Sequence, residues 1–413
     1  MVVRTAAVQF DDCPTVANGE TAFAIDGTNP YFAEASRLRE EFSKDAGARD
    51  RLGGRPCSQV GMLKKSGLLK LQIPGKHGGA GQPWSSVLRI VREFAKTDGS
   101  IAHLFGYHFV WANAAFIRGN PDQAAHLYEG TVRNNWFWGN AANSFSRNLT
   151  GRRSGEQYIL NGSHPFASGA HVADYLQIGW DDETSEQRWF AAIPANRPGI
   201  TALDDWDGIG QRQTGSGTVT FENVLVHPNE VLDPAYNDQR PIATIGPALA
   251  QSVLLNIFIG CAQGALADAR QYTMTKSRPW ITSGVDHPSE DPWIKRTFGE
   301  FYIKIEAATL LADRAMESLD AAWREGRSLT HEQRGRNAIE IAAANVVATE
   351  VALDVTNRMF EVMGARSATN AHGFDRYWRN VRTHSLHSPV EYRVQNVGAW
   401  FLTGQFPQPN VFQ

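Results

Sequence analysis

The chain has 413 residues, a formal net charge of −3 and three cysteines, Cys13, Cys57 and Cys261. The near-neutral charge, without long runs of one sign, argues against nucleic acid or an anionic membrane as a partner. Three widely separated cysteines exclude a disulfide framework and a cysteine-based metal site, and they fit a reducing cytoplasm. A chain of this length can bury a large core in two or three domains.

Two segments bear on targeting and on membranes. Residues 1–28 lack the basic-then-apolar order of a signal peptide, and we predict an N-terminal arm there. Residues 242–267 carry no charged side chain and are long enough to span a bilayer, but Gln251, Asn256 and Gln263 interrupt them. We therefore predict a helix buried in a protein core, and no membrane partner.

Residues 29–139 are predicted to form an N-terminal helical domain. Tyr31, Ala35, Leu38 and Phe42 recur at steps of three and four residues, which is the spacing of one helix face. A second apolar stripe with this spacing follows a serine that can cap a helix.

Residues 140–240 are predicted to form a central β domain, a barrel or a sandwich, because the apolar period falls to two. Segments such as 175–180 run apolar between clusters of turn residues. The dipeptide Asn161-Gly162 follows an apolar run and predicts a tight hairpin turn.

Residues 241–413 are predicted to form a C-terminal helical bundle with a tail. Helical patterns extend over 247–277, 292–325 and 331–363. Thr330 and Gln333 form a capping box before the third of these helices. Helices, a β domain and long bundle helices, in this order, make a mainly α protein.

Several motifs of other enzyme classes are missing. No glutamate stands three residues before any histidine, so the ligands of a di-iron bundle are absent. Gly208-Ile209-Gly210 is not completed by a third glycine, which leaves no dinucleotide fingerprint. His384 and His387 have no third ligand near them in sequence, so we predict no metal site.

Residues 373–389 are the most informative segment of the chain. They lead through arginines and aromatic residues to His384, His387, Ser388 and Pro389. The segment resembles the acyl-CoA dehydrogenase superfamily, in which it ends in Tyr-Glu-Gly and the Glu often abstracts a substrate α-proton. That Glu falls on Ser388, with the Tyr on His387 and the Gly on Pro389. Serine cannot be that base, so the resemblance predicts that the fold is kept while the dehydrogenation is lost.

Further motifs resemble the flavin-dependent monooxygenases that share this fold, dibenzothiophene monooxygenases among them. The resemblance covers most of the chain except the N-terminal arm. The motifs lie at residues 103–108, 134–140, 204–217, 277–280 and 379–387.

The resemblance implies a fold, a cofactor, partners and a reaction. The fold is an N-terminal helical domain, a central β domain and a C-terminal four-helix bundle, assembled as a homotetramer. The cofactor is reduced FMN from a separate NAD(P)H:flavin reductase, and it reacts with O2 through a C4a-hydroperoxide. The substrate is apolar, most simply a dibenzothiophene-like organosulfur compound oxidised at sulfur, as in desulfurisation.

The resemblance also implies site residues. His387, Ser168, His103 and Tyr107 are the expected catalytic residues. For the two histidines, a neutral imidazole can donate one hydrogen bond and accept another. Arg278 and Arg366 are expected to bind the FMN phosphate through their planar forks, with Arg278 reaching the flavin of a neighbouring subunit. The expected cofactor contacts are Tyr107, Asn140, Ala141, Asn143, Ser144, Phe166, Ala167, Ser168, Trp206, Arg278, Ala365, Arg366 and His387.

The residues alone leave alternatives open. Each histidine also fits a buried core position, and each arginine fits a surface ion pair. Six aromatic residues would line an apolar pocket or simply fill the core: Phe105, Phe109, Trp111, Trp136, Trp138 and Trp206. At the level of function, the alternatives are an acyl-CoA dehydrogenase with FAD and a base from another helix, an N- or C-hydroxylating monooxygenase of this fold, and a non-catalytic structural bundle.

Overall fold

The computed structural model describes residues 23–185, 187–232 and 240–409. Cys13 and most of the predicted arm therefore lie outside the described residues. The first helical region consists of α1 (Pro30–Ser43), α2 (Ala46–Leu52), α3 (Cys57–Ser66), α4 (Trp84–Ala95), α5 (Gly99–Ala112), α6 (Ala114–Arg118) and α7 (Pro121–Asn134).

Local capping explains where several of these helices begin. The Asn29 side chain accepts a hydrogen bond from the Tyr31 amide at 3.0 Å and starts α1. Asn120 and Gln123 form a reciprocal capping box at the start of α7. α5 is apolar on nearly all sides and is buried along almost its whole length, so it lies inside the molecule.

Eight described strands form one mixed sheet in the middle of the chain, so the β domain between two helical regions is confirmed. The strands are β1 (Trp138–Ala141), β2 (Leu149–Ser154), β3 (Gln157–His164), β4 (Tyr175–Asp182), β5 (Arg188–Pro194), β6 (Ile200–Ala202), β7 (Val219–Val226) and β8 (Val231–Leu232). β4 is the central strand: it pairs antiparallel with β5, and β1 and β2 follow one another in parallel along its other edge.

The hairpin predicted at Asn161-Gly162 is wrong. Both residues lie inside β3, where a β-bulge shifts the register against β7 and Gly162 has φ +125°. The turn that joins β2 to β3 instead lies at Gly155, which has φ +62°. The glycine signal was real, but it marks a bulge, which needs the same backbone freedom as a turn.

The C-terminal region consists of helices close to those predicted. The predicted ends of the three long helices are correct to within two residues, and the capping box of Thr330 and Gln333 is present. The helices are α8 (Gly246–Thr275), α9 (Pro292–Glu325), α10 (His331–Met363), α11 (Asp375–Ser385) and α12 (Val390–Thr403).

α8 is the centre of this bundle. Pro241–Thr275 is long and apolar enough to cross a membrane, but 78% of its most apolar window is buried by the rest of the protein. It packs against α4, α5, α9, α10 and α11. This packing agrees with the prediction of a buried core helix.

Small residues let α8 approach α4 closely. A Cβ built on Gly264 would lie 1.9 Å from the Lys96 carbonyl oxygen, and one on Gly260 would lie 2.3 Å from the Arg92 carbonyl oxygen. The apolar side chains of α1, α3, α4 and α5 and those of α8, α9 and α10 belong to one continuous core. The two helical regions are therefore joined by one hydrophobic interior, and the sheet has a smaller core of its own.

We expect Gly264→Ala to destabilise the protein by about 1–3 kcal/mol, the usual cost of overpacking, because the Lys96 backbone has little freedom to move away. Gly299→Ala in α9 is the matched control, since nothing lies within 4 Å of its added Cβ. That change should stabilise the helix by up to about 1 kcal/mol. Urea unfolding midpoints at one protein concentration measure both effects. Equal midpoints for the two variants would contradict the close approach.

Candidate active site

One large cavity, of about 710 Å³, lies where α5, α8 and α11 meet one end of the sheet. Its inner wall is apolar and comes mainly from α5, α6 and α8. Among the described residues, no aspartate or glutamate lines it. Its apolar wall residues include Val110, Trp111, Ala114, Ile117, Pro247, Ala250, Leu254 and Leu386.

Three histidines meet at this cavity. His103 in α5 stacks on Tyr107 at a ring-centroid distance of 4.3 Å, and its other neighbour is the ring of His384 in α11, at 4.6 Å. His387 follows one turn later, and its amide donates to the His384 carbonyl at 3.0 Å. Neither ring nitrogen of His103 has a hydrogen-bond partner among the described residues, nor does Nδ1 of His384. Unpartnered polar atoms of this kind, facing a cavity, are available to a ligand.

The surroundings keep these imidazoles neutral. Burial, together with the nearby His387, lowers the pKa of His103 to about 3. Burial also holds the pKa of His384 well below its ordinary value, with smaller contributions from His103 and His387. The pKa of His387 is lowered by burial and then by the charge of Arg393. At neutral pH each ring therefore has one donor and one acceptor nitrogen.

Ser168 belongs to a chain of three hydroxyl groups, of which those of Ser168 and Ser216 belong to residues that line the cavity. Its Oγ lies 2.7 Å from Ser216 Oγ, which lies 2.7 Å from Thr214 Oγ1. The Thr214 hydroxyl donates to the Gln211 carbonyl at 2.8 Å. Because that proton is committed, both other contacts are hydrogen bonds only if Ser216 donates to Thr214 and Ser168 donates to Ser216. Ser168 then acts towards a ligand as an acceptor.

Polar and aromatic groups surround Ser168. The Asn140 amide donates to the Ser168 carbonyl at 3.2 Å, and Asn140 Oδ1 is buried without a partner. Phe166 has φ +57° and meets Trp206 edge-on at 5.9 Å. A non-glycine residue at positive φ is strained, and such strain often accompanies a functional site.

Arg188 holds the loop that covers this part of the cavity. This buried guanidinium donates to the carbonyl oxygens of Asn143 at 2.9 Å and Ser146 at 3.0 Å. Asn143, Ser144 and Phe145 of the same loop line the cavity. The loop is thus fixed from the sheet beneath it.

The structure brings most of the predicted site residues together, while their roles stay predictions. Ala141 and Ala167 are buried beside the lining residues without lining the cavity themselves. The predicted residues that line the cavity are His103, Tyr107, Asn140, Asn143, Ser144, Phe166, Ser168, Trp206 and His387.

Three predicted cofactor contacts lie elsewhere in the chain. Arg278, Ala365 and Arg366 are exposed and do not line the cavity of their own subunit. Arg366 donates to the Lys276 carbonyl at 2.5 Å, just beyond the end of α8. The two arginines thus come from neighbouring segments at one end of the bundle.

Sequence reasoning overstated the aromatic wall and missed one histidine. Of the six aromatic residues considered, Trp111 and Trp206 line the cavity. Phe105, Phe109 and Trp138 are core, and Trp136 packs on that core, so the alternative of simple packing holds for these four. The sequence pattern suggests His384 only as a metal ligand together with His387, but the structure places its ring against that of His103. The signal in the sequence was the spacing of three residues between His384 and His387. The contact between His384 and His103, however, is seen only in the packing of α11 on α5.

Comparison with known proteins identifies the family. Residues 34–134 match the family described as acyl-CoA dehydrogenase, N-terminal domain, and residues 253–392 match acyl-CoA dehydrogenase, C-terminal domain. The chain is 41% identical over 384 residues to the probable FMNH2-dependent monooxygenase SfnC of Pseudomonas putida, covering 93% of this chain and 97% of that protein. It is 40% identical over 398 residues to dibenzothiophene monooxygenase of Rhodococcus erythropolis, covering 92% and 95%.

Solved structures agree. Methanesulfinate monooxygenase MsuC from Pseudomonas fluorescens superposes with a TM-score of 0.90 at 40% identity, covering 92% of this chain and 99% of that one. TdsC from Paenibacillus sp. A11-2, solved with FMN and indole, superposes with a TM-score of 0.89 at 34% identity, covering 93% and 100%. This chain therefore belongs to the acyl-CoA dehydrogenase family, and within it to the FMN-dependent monooxygenases. The predicted fold and family are confirmed.

Proposed function

We propose that this protein is the oxygenase of a two-component system, using reduced FMN and O2 to oxidise the sulfur of an apolar organosulfur compound to sulfoxide and sulfone. The main support is the character of the cavity wall, which combines apolar side chains with the neutral imidazoles of His103, His384 and His387, with amide and hydroxyl groups, and with the cation Arg118. No described carboxylate is present, so the wall suits an apolar substrate without a positive charge and offers no carboxylate base.

The residues present fit a flavin. Asn140 Oδ1 and Gln211 Oε1 are buried cavity-lining acceptors without partners, which matches the ring N–H groups of an isoalloxazine. Phe166 and Trp206 add aromatic surface, and the cavity volume of about 710 Å³ is in the range of small-molecule sites. Asn140, Gln211 and Ser168 would hold the ring system. When bound in reduced form, FMN supplies the two electrons that activate O2 for transfer of one oxygen atom.

The chain's own contribution is positioning and exclusion of water. His103, His384 and His387 present neutral donor and acceptor nitrogens to the cavity, as their lowered pKa values allow. Val110 and Leu254 are among the apolar groups that would place a hydrophobic substrate beside them. A dry wall prevents activated oxygen from being lost to water as hydrogen peroxide.

Electrons must come from another protein in this proposal. The chain lacks a completed dinucleotide fingerprint, so we infer that a separate NAD(P)H:flavin reductase delivers reduced FMN. Such a partnership, with the unpaired thiols of Cys57 and Cys261, fits the reducing cytoplasm.

Sulfur is favoured over nitrogen as the oxidised atom. Among the described residues, the cavity wall includes the cation Arg118 and no carboxylate that could pair with a protonated amine. The relatives named above include enzymes for dibenzothiophene and for methanesulfinate, both sulfur compounds. C-hydroxylation of an aromatic ring is the remaining alternative, and a substrate screen decides between them.

An acyl-CoA dehydrogenase activity lacks its base. Ser388 occupies the position of the expected carboxylate, and its hydroxyl contacts Arg393. The alternative of a base from another helix needs a carboxylate in the cavity wall, and the described wall contains none.

A homotetramer would complete the cofactor site. Trp280 and Ile281 are 73% and 90% exposed beside Arg278, and Phe401 and Leu402 are 80% and 83% exposed at the end of α12. Apolar groups exposed to this extent are typical of interfaces between subunits. Arg278 and Arg366 would then bind the FMN phosphate of a neighbouring copy, since neither lines the cavity of its own chain.

The direct test is an activity assay with dibenzothiophene, an alkyl sulfide, an arylamine and indole. We expect no NADH oxidation by the purified protein alone, because its sequence has no completed dinucleotide fingerprint. Adding FMN and a generic flavin reductase should then yield sulfoxide and sulfone, identified by mass spectrometry. Oxidation of NADH without the reductase, or oxygenation of only the amine or the indole, would contradict the proposal.

His387→Phe tests the imidazole at the active site. The change keeps the ring but removes both hydrogen-bonding nitrogens, and loss of one preorganised donor commonly costs on the order of 10²-fold in rate. We expect FMN still to bind, and most of the consumed O2 to appear as hydrogen peroxide instead of product. Product yield per NADH and a peroxide assay measure this. Coupling at the wild-type level would make His387 a packing residue only.

Arg278→Ala tests the shared cofactor site. Loss of a charge-assisted phosphate contact should weaken FMN binding by roughly 1.5–3 kcal/mol in a fluorescence titration, with the oligomer intact. Co-assembly of Arg278→Ala with His387→Phe subunits adds a sharper readout. If Arg278 acts in the neighbouring site, random pairing restores about a quarter of the sites, because each complete site takes one intact half from each variant. No gain over the separate variants would place Arg278 outside the site.

A further inference from the structure

Arg393 is a buried cation whose partners are all neutral. This α12 residue is 7% exposed. Its guanidinium donates to the Ser388 carbonyl at 3.1 Å, to Gln251 Oε1 at 2.5 Å, and to Ser388 Oγ. Among the described residues, no aspartate or glutamate forms an ion pair with it.

Keeping a charge at this position has a cost. Burial of a cation without a counter-charge is unfavourable, and burial lowers the pKa of Arg393 to about 10. The group nevertheless stays charged at neutral pH. Its acceptor, Gln251, is itself oriented by the Asn345 amide at 3.3 Å. The neighbours thus hold the guanidinium in a fixed place without cancelling its charge.

The guanidinium of Arg393 lies against the turn that carries His387 and Ser388. Both contacts to Ser388 fix the residue that follows His387, and Gln251 Nε2 lies 3.5 Å from the Ser388 hydroxyl. Among the described residues, the charged and titratable groups that interact with His387 are His384 from α11, His103 from α5, and Arg393 from α12. Arg393 is the charged member of this set, because burial keeps both other histidines neutral.

We infer that Arg393 is a positioning residue of the active site: its fork fixes the turn that carries His387, and its charge, which no carboxylate balances, adds to burial in disfavouring a protonated His387. The inference rests on the proposed function in assigning His387 a role towards the cofactor and O2. A neutral ring retains the acceptor nitrogen that a protonated ring would lose. The charge also extends to Tyr107, where it opposes the effect of burial on the phenol pKa.

Three variants separate the fork from the charge. Arg393→Lys keeps the charge and loses the fork, and Arg393→Met loses both. Gln251→Glu keeps the fork and places a carboxylate against the guanidinium, where Oε1 already accepts its hydrogen bond. FMN titration and size-exclusion chromatography serve as controls for folding.

The decisive readout is the titration of His387, followed by NMR of histidine-labelled protein without FMN and identified by its loss in His387→Phe. We expect the pKa of His387 to rise in Arg393→Met and in Gln251→Glu, and to stay in place in Arg393→Lys. The acid limb of coupled turnover should move to higher pH in the same two variants. At about pH 6 the loss should reach at most about fourfold, the limit for a histidine with the ordinary pKa of about 6.5.

Equal titration of His387 in wild type and Gln251→Glu would overturn the inference, as would a rise in Arg393→Lys as large as that in Arg393→Met. If Arg393→Met does not fold, the other two variants still decide. Absence of oxygenated product from the wild type would contradict the proposed function alone, since the titration needs neither cofactor nor substrate.

Discussion

Burial disfavours the charged form of an imidazole, and this cost determines the character of the whole cavity wall. His103 and His384 lie ring against ring, so a proton on either would repel a proton on the other. A nearby carboxylate would change this balance by drawing a proton onto a histidine. No carboxylate lines the described part of the wall, so burial keeps the cluster neutral, and a neutral cluster can offer donors and acceptors together.

The cluster exists only because α11 is held in one orientation towards α5. Polar contacts to three separate parts of the chain fix that helix, and few of its residues need to be apolar for it to stay in place. A shift of one helical turn would separate the two rings, so these contacts position the histidine cluster through the helix that carries His384. The contacts join Tyr377 to Asp268 in α8, Arg379 to Asp50 in α2, and Asn380 to Gln211 in the loop before β7.

Local signals in the sequence predicted the helices correctly. They failed where pairing with a distant segment determines the local structure. The capping box at Thr330 and the apolar period predicted α10 to the residue, because both act within one helix. Asn161-Gly162 carries an equally strong local signal, but pairing of β3 with β7 makes it a bulge. His384 shows the same limit at the site, since its contact to His103 depends on the packing of helices far apart in sequence.

At position 388 this chain differs from the dehydrogenase pattern in more than the identity of one residue. Ser388 accepts hydrogen bonds from Arg393 through its carbonyl and its hydroxyl, and the acceptors around that guanidinium are neutral. A glutamate returned to position 388 would meet this cation first and would be held as an ion pair, with its pKa lowered. A paired carboxylate is a poor proton acceptor and would also cancel the charge behind His387. The serine and the arginine thus support each other, and together they favour hydrogen bonding over proton abstraction at this end of the cavity.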